Sequence, residues 1–241
     1  MLVVLASVSG APGVSTAALG LAGLWPKRPG LLVEADPCGG VVAARFGLRQ
    51  EPGLAALAAA ARHGLPAGAV APFVQILPLG VHAVVAADAA AGAVSVLADR
   101  PAAVAALAPV VLVDAGRLYP GSPAYGLLSA ADALVVLTVG DTEHLDHVAH
   151  RLAGLRARVH TGTVGLVVTG KTSFTPQDIS GQCGAPVWAH LPRDRWGAAG
   201  LSGRMAGPGW ARTRLAQALR TLATTLADPP QPARPRLEVA R

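Results

Sequence analysis

The sequence predicts a single α/β domain: a doubly wound, mostly parallel sheet with helices on both faces. Three observations lead there. Short apolar runs recur along the chain with helix-like stretches between them, and such alternation builds parallel sheets through right-handed crossovers. Most of these runs are apolar throughout rather than alternating, which marks strands covered on both faces. The chain has 241 residues, 52% hydrophobic and only 14% charged. That suffices for a sizeable core and excludes a chain disordered throughout.

The elements follow in order. "LVVLA" makes a first strand at 2–6, and the apolar run after the Gly/Ser turn makes a helix at 15–24. "LLVEA" is a second strand at 31–35, followed by helices at 40–46 and 53–62. Strands are expected at 73–77 and 83–86, then an alanine-rich helix at 89–107 that Pro101 should break in two. The strand "VVLVD" at 110–114 precedes a helix at 125–131; the strand at 133–139 precedes a helix at 142–158. Strands at 164–169 and 186–189 complete the sheet. The last helix, 210–226, carries Leu215, Leu219, Leu222 and Leu226 on one stripe flanked by Arg212, Arg214 and Arg220. Such a stripe is read as docking on the sheet rather than lying on a membrane. The domain is therefore drawn from 1 to 226, with a Pro/Arg-rich tail from 227 to 241 expected to be disordered.

Composition bounds the function. No uninterrupted apolar run is long enough to span a bilayer. No Lys or Arg precedes Lys27, so the basic flank of a signal peptide is missing and a cytoplasmic protein is expected. Cys38 and Cys183 are read as unpaired thiols of a reducing compartment. Nine arginines and three acids lie from Leu191 onward, which accounts for the whole net charge of +6. This basic C-terminal region could touch nucleic acid or an anionic membrane surface; the absence of a dense basic run favours a solvated surface.

Four places carry chemistry. "SVSGAPGVST", 7–16, sits between the first strand and the first helix. Gly10 and Gly13 allow a tight turn, and the N–H groups from Gly13 through Val14 and Ser15 to Thr16 open a helix that would attract phosphate. Ser15 stands where a Mg²⁺-binding hydroxyl belongs. Val14 brings no positive charge, Pro12 has no N–H, and Ala11 takes a place suited to glycine. The second place is "LLVEADPCGG", whose Glu34 and Asp36 could hold Mg²⁺ or, for Asp36, orient an attacking water. The third is "VVLVDAG", where Asp114 ends a buried strand and would support the same metal. The fourth is "VWAHLPRDRWGA", where Pro192, Arg193 and Asp194 form a turn able to contact a base. His144, His147 and His150 in "EHLDHVAH" read as a polar helix face rather than a zinc site.

Taken together these segments resemble the MinD/ParA branch of P-loop ATPases, the SIMIBI class, over 1–226. The family's loop reads KGGVGKTT; here it is "SGAPGVST", with Ser9 and Val14 in place of both lysines. "LLVEADPCGGVVAARFGL" is similar to the strand and switch that follow the loop, and "VVLVDAG" to the Walker B strand. "ADALVVLTVGDTEHLD" is similar to the next strand and helix. In "VGLVVTGKT" the adenine-reading Asn of the family is replaced by Thr169 and Gly170. "APVWAHLPRDR" resembles the base-contacting turn. The degenerate loop is most similar to the CpaE/TadZ-like branch.

The resemblance implies ATP or ADP with Mg²⁺, a homodimer, and a partner from a Tad (Flp) pilus-type secretion or a partition system, on membrane or nucleoid. With both lysines missing, nucleotide binding is expected to be weak or absent and hydrolysis slight. Two alternatives stand beside this reading. One is an active ATPase completed in trans by an arginine such as Arg45, Arg193 or Arg195. The other is an adaptor without nucleotide, its loop closed by side chains with Val14 packed inward.

Overall fold

The structure is a computed structural model, and it describes residues 1–10, 12–205 and 207–228. The predicted tail lies almost wholly outside the described residues, as does Ala11. In chain order the elements are β1 (Leu2–Ser7), α1 (Val14–Leu24), β2 (Leu31–Glu34), α2 (Val42–Phe46) and α3 (Leu54–Arg62). Then come β3 (Gln75–Ile76), β4 (His82–Val84), α4 (Ala91–Ala98), α5 (Pro101–Ala105) and β5 (Val111–Arg117). The C-terminal half adds β6 (Ala133–Val139), α6 (Thr142–Arg156), β7 (Thr163–Thr169) and α7 (Pro176–Cys183). It ends with β8 (Val187–Leu191), α8 (Arg195–Leu201) and α9 (Arg214–Ala227).

The described strands form one sheet of eight in the order β3-β4-β2-β5-β1-β6-β7-β8. Every pairing is parallel except β3 with β4. The near-continuous apolar strands have the cause expected of them: both faces are covered. One face packs residues such as Leu57, Leu97, Leu152 and Ile179 from α3, α4, α6 and α7. The other packs Leu19, Val42, Leu201 and Leu219 from α1, α2, α8 and α9. Leu215, Leu219, Leu222 and Leu226 of α9 are all buried, each worth about 1.5–3 kcal/mol in transfer from water. Gly20 of α1 makes room for Leu219, since a Cβ there would sit 2.5 Å from Leu219 Cδ1.

Several elements differ from expectation. The run at 73–77 contributes only β3, because Pro72 opens a 3₁₀ turn over Ala71–Phe73 and the strand left is a two-residue edge. The alanine-rich helix does divide at Pro101, into α4 and α5. The segment at 125–131 is a 3₁₀ helix, Pro123–Ala130. The last helix starts later, because Thr213 caps α9 after a 3₁₀ turn at Pro208–Arg212. Two helices were not anticipated. One is α7, opened by a reciprocal capping box between Thr175 and Asp178; the other is α8, capped by Asp194.

β1 runs centrally, between β5 and β6. Its pairing with β5 slips by one residue beyond Leu5, a bulge that falls at Gly116, whose φ is 58°. The bulge lies beside Asp36, because a Cβ on Gly116 would collide with the Asp36 carboxylate. The loops at the C-terminal ends of the central strands thus meet on one rim, where open α/β sheets bind ligands.

Candidate nucleotide site

The loop after β1 reaches α1 through Gly13, the helix N-cap, at φ 92°. That left-handed conformation favours glycine. No side chain caps α1, so the first N–H groups of the helix are left for a ligand or water. Val14 is turned inward, only 7% exposed, into the core shared by α1, α9 and the sheet. Thr16 and Gly13 remain on the rim.

Three carboxylates gather behind the loop. Glu34 and Asp114 are register partners on adjacent strands. Asp114 is 2% exposed and accepts from the Gly116 N–H at 3.0 Å, with the Ser15 side chain close enough to act on its charge. Burial is the main cause that pushes its carboxyl up to about 6; the Ser15 and Gly116 bonds oppose the rise, and the charges of Glu34 and Asp36 add to it. Asp36 is also pushed up by burial, against a hydrogen bond from the Cys38 N–H at 2.9 Å.

Glu34 is engaged by backbone donors. Its Oε1 accepts from the Val41 and Val42 N–H groups at 2.7 and 2.9 Å, and its Oε2 from Ala86 at 3.0 Å. A carboxylate so engaged ties the start of α2 to the end of β4. Burial raises its pKa most strongly, and these three bonds and Arg45 pull it back. Among the described residues no three His, Cys, Asp or Glu side chains are arranged to hold a metal ion. That covers the histidines of α6 as well; there His150 Nδ1 lies 2.8 Å from the Asp146 carbonyl.

A cleft of about 240 Å³ opens beside the loop. It joins Pro12, Gly13 and Thr16 to Thr169, Gly170, Pro192, Arg193 and Asp194. The structure therefore brings together the loop and the turn that the sequence separates by some 180 residues. The size is just under the roughly 300–1,000 Å³ usual for small-molecule pockets. Asp194 does a second job there. Its Oδ1 accepts from Trp196 and Gly197 N–H, and its Oδ2 from Leu215 N–H, all at 3.1 Å. Slight burial acts to raise its pKa, but these bonds together hold the carboxyl below the usual range. Its carboxylate is thus a double helix cap, while Pro192 and Arg193 line the cleft beside it.

Two further groups stand at the loop: Arg45, read from the sequence as an arginine acting in trans, and His144, read as part of a polar helix face. Arg45 of α2 is half-buried and reaches the loop's helix, its Nη1 donating to Thr16 Oγ1 at 3.4 Å. His144 stands over the loop from the start of α6, with Nε2 3.8 Å from where a Gly10 Cβ would lie. Asp141 Oδ1 holds its Nδ1 at 2.6 Å. Both contacts cross the sheet's rim between distant segments, so no local spacing announces them.

No protein-family model matches the sequence, and no curated protein matches it. Solved structures do match the fold. A ParA family ATPase from Chlorobium tepidum TLS superposes with a TM-score of 0.71 at 18% identity, over 92% of this chain and 97% of that one. The septum site-determining protein MinD complexed with Mg-ADP from Pyrococcus horikoshii OT3 gives 0.69 at 15% identity, over 94% and 96%. The MinC:MinD cell division complex of Aquifex aeolicus gives 0.69 at 15%, over 97% and 98%. The fold is therefore that of the MinD/ParA ATPases, as a single domain.

Proposed function

We propose that this chain is a MinD/ParA-like nucleotide-binding protein that acts by binding and hydrolyses ATP slowly or not at all. The observation that carries the reading is the cleft, which sets the uncapped start of α1 opposite the turn at 192–194. Phosphates would lie at the N-terminus of α1, and the base and sugar along Thr169, Gly170, Pro192 and Arg193. One MinD of this fold is described with Mg-ADP. Here Ser15, oriented by Asp114, and Asp36 are the residues that would hold Mg²⁺, which neutralises phosphate charge when bound. The lysine-less loop takes away charge that would act on the transition state, so hydrolysis suffers more than binding. Family analogy adds a homodimer that organises cargo: Tad/Flp pilus-type machinery, through the degenerate loop shared with CpaE/TadZ-like proteins, or a partitioned replicon. One MinD of this fold is described in a complex with MinC. The exposed arginines at the C-terminal side would then meet membrane or nucleoid.

One observation favours the adaptor reading: Val14 is packed inward. Titration of nucleotide-stripped protein with ATP and ADP by calorimetry separates the two. Micromolar binding with at most residual turnover is expected. An absence of binding up to millimolar nucleotide would make the fold a scaffold, and a turnover typical of active ATPases, abolished by Asp36→Asn, would contradict the inactive reading.

A further inference from the structure

Arg45 is an arginine with most of its capacity unused. A guanidinium offers five N–H donors. Among the described residues its side chain makes one long hydrogen bond, to Thr16 Oγ1 at 3.4 Å, and no ion pair within 4.0 Å. The Arg45 backbone carbonyl lies against Gly203, whose φ of 71° lets the chain pass without a Cβ. The charges of Asp114 and Glu34 act on the guanidinium, yet neither carboxylate forms an ion pair with it within 4.0 Å, and both oxygens of Glu34 already accept backbone N–H bonds. A guanidinium with one protein hydrogen bond among the described residues thus reaches the first turn of α1 from α2, beside the loop in which Ser9 and Val14 bring no charge. The chain's two lysines, Lys27 and Lys171, stand elsewhere: Lys27 follows the far end of α1, and Lys171 lines a groove with Gly140 and Asp141.

We infer that Arg45 supplies in cis the charge missing at Val14, and that its ligand is the phosphate chain of the bound nucleotide. This rests on the nucleotide reading above. Arginine suits the task because its planar fork pairs with two phosphate oxygens at once. The arrangement also explains why Val14 is free to pack inward: the cation arrives from α2 instead of from the loop. No second subunit is needed to complete the phosphate contacts.

The test measures ADP and inorganic pyrophosphate binding by calorimetry for wild type, Arg45→Gln and Arg45→Lys, with the thermal midpoint of each. Arg45→Gln is expected to weaken both ligands by about 10- to 100-fold, the loss of a charged hydrogen bond, and Arg45→Lys to recover part of it. Equal affinity in wild type and Arg45→Gln overturns the inference and leaves the nucleotide reading intact. No ADP binding by wild type overturns both. A second readout does not need a folded Gln variant. In arginine-¹⁵N-labelled wild type, the Nε–H resonance absent from Arg45→Lys should move on adding pyrophosphate; an unmoved resonance overturns the assignment.

Discussion

At the scale of single residues, the site is governed by how its carboxylates are satisfied. Asp114 has a folded-state pKa of about 6, well above the 3.8 of an unperturbed group. The fold therefore disfavours its ionised form, and its contribution falls as pH rises from about 4 through 6, then stays constant. The span corresponds to about 3 kcal/mol at most. Asp114→Asn keeps the acceptor for Gly116 and Ser15 and removes the charge. It should raise the thermal midpoint at pH 8, where the buried group is ionised, and give no such gain at pH 4; a gain equal at both pH values would show that the fold does not raise the Asp114 pKa. Glu34 shows what a lone motif hides. "LLVEAD" suggests paired metal ligands, but the Glu34 oxygens are taken by N–H groups of Val41, Val42 and Ala86, one of them 52 residues away.

At the scale of elements, the turn at 192–194 and the last two helices depend on one carboxylate. Asp194 caps α8 through Trp196 and Gly197 and also binds the first turn of α9 at Leu215. Asp194→Ala should cost about 1–3 kcal/mol in urea unfolding, from the lost cap and the unpaired Leu215 N–H; an unchanged midpoint would mean that the caps carry no stability. The elements also show where sequence pattern works. Continuous apolar runs located β1 and β6 closely, because burial on both faces demands them. α8 escaped notice because "RWGAAGL" reads as a loop. Its glycines are there for packing: a Cβ on Gly197 would lie 2.7 Å from Thr213 Oγ1 and 3.0 Å from Leu215 Cβ. α7 is short and largely polar, yet its signal was present in Thr175, Pro176 and Asp178, a capping box with proline at the first helical position.

At the scale of the molecule, the order of segments along the chain was enough to give the sheet and the rim where the loops meet. It was not enough to give the charges on that rim, since Arg45 reaches Thr16 across 29 residues and His144 stands over Gly10. Among the described residues no helix is long and apolar enough to cross a membrane. The central claim is that nucleotide occupies the cleft between the loop and the turn. Ala198 lines that cleft from α8. The most direct measurement is calorimetric titration of ADP into wild type and Ala198→Trp, with circular dichroism to verify that both are folded. A filled cleft should weaken ADP by at least about tenfold, roughly 1.4 kcal/mol. Equal affinity in the two proteins would contradict the account and place any nucleotide elsewhere on the fold.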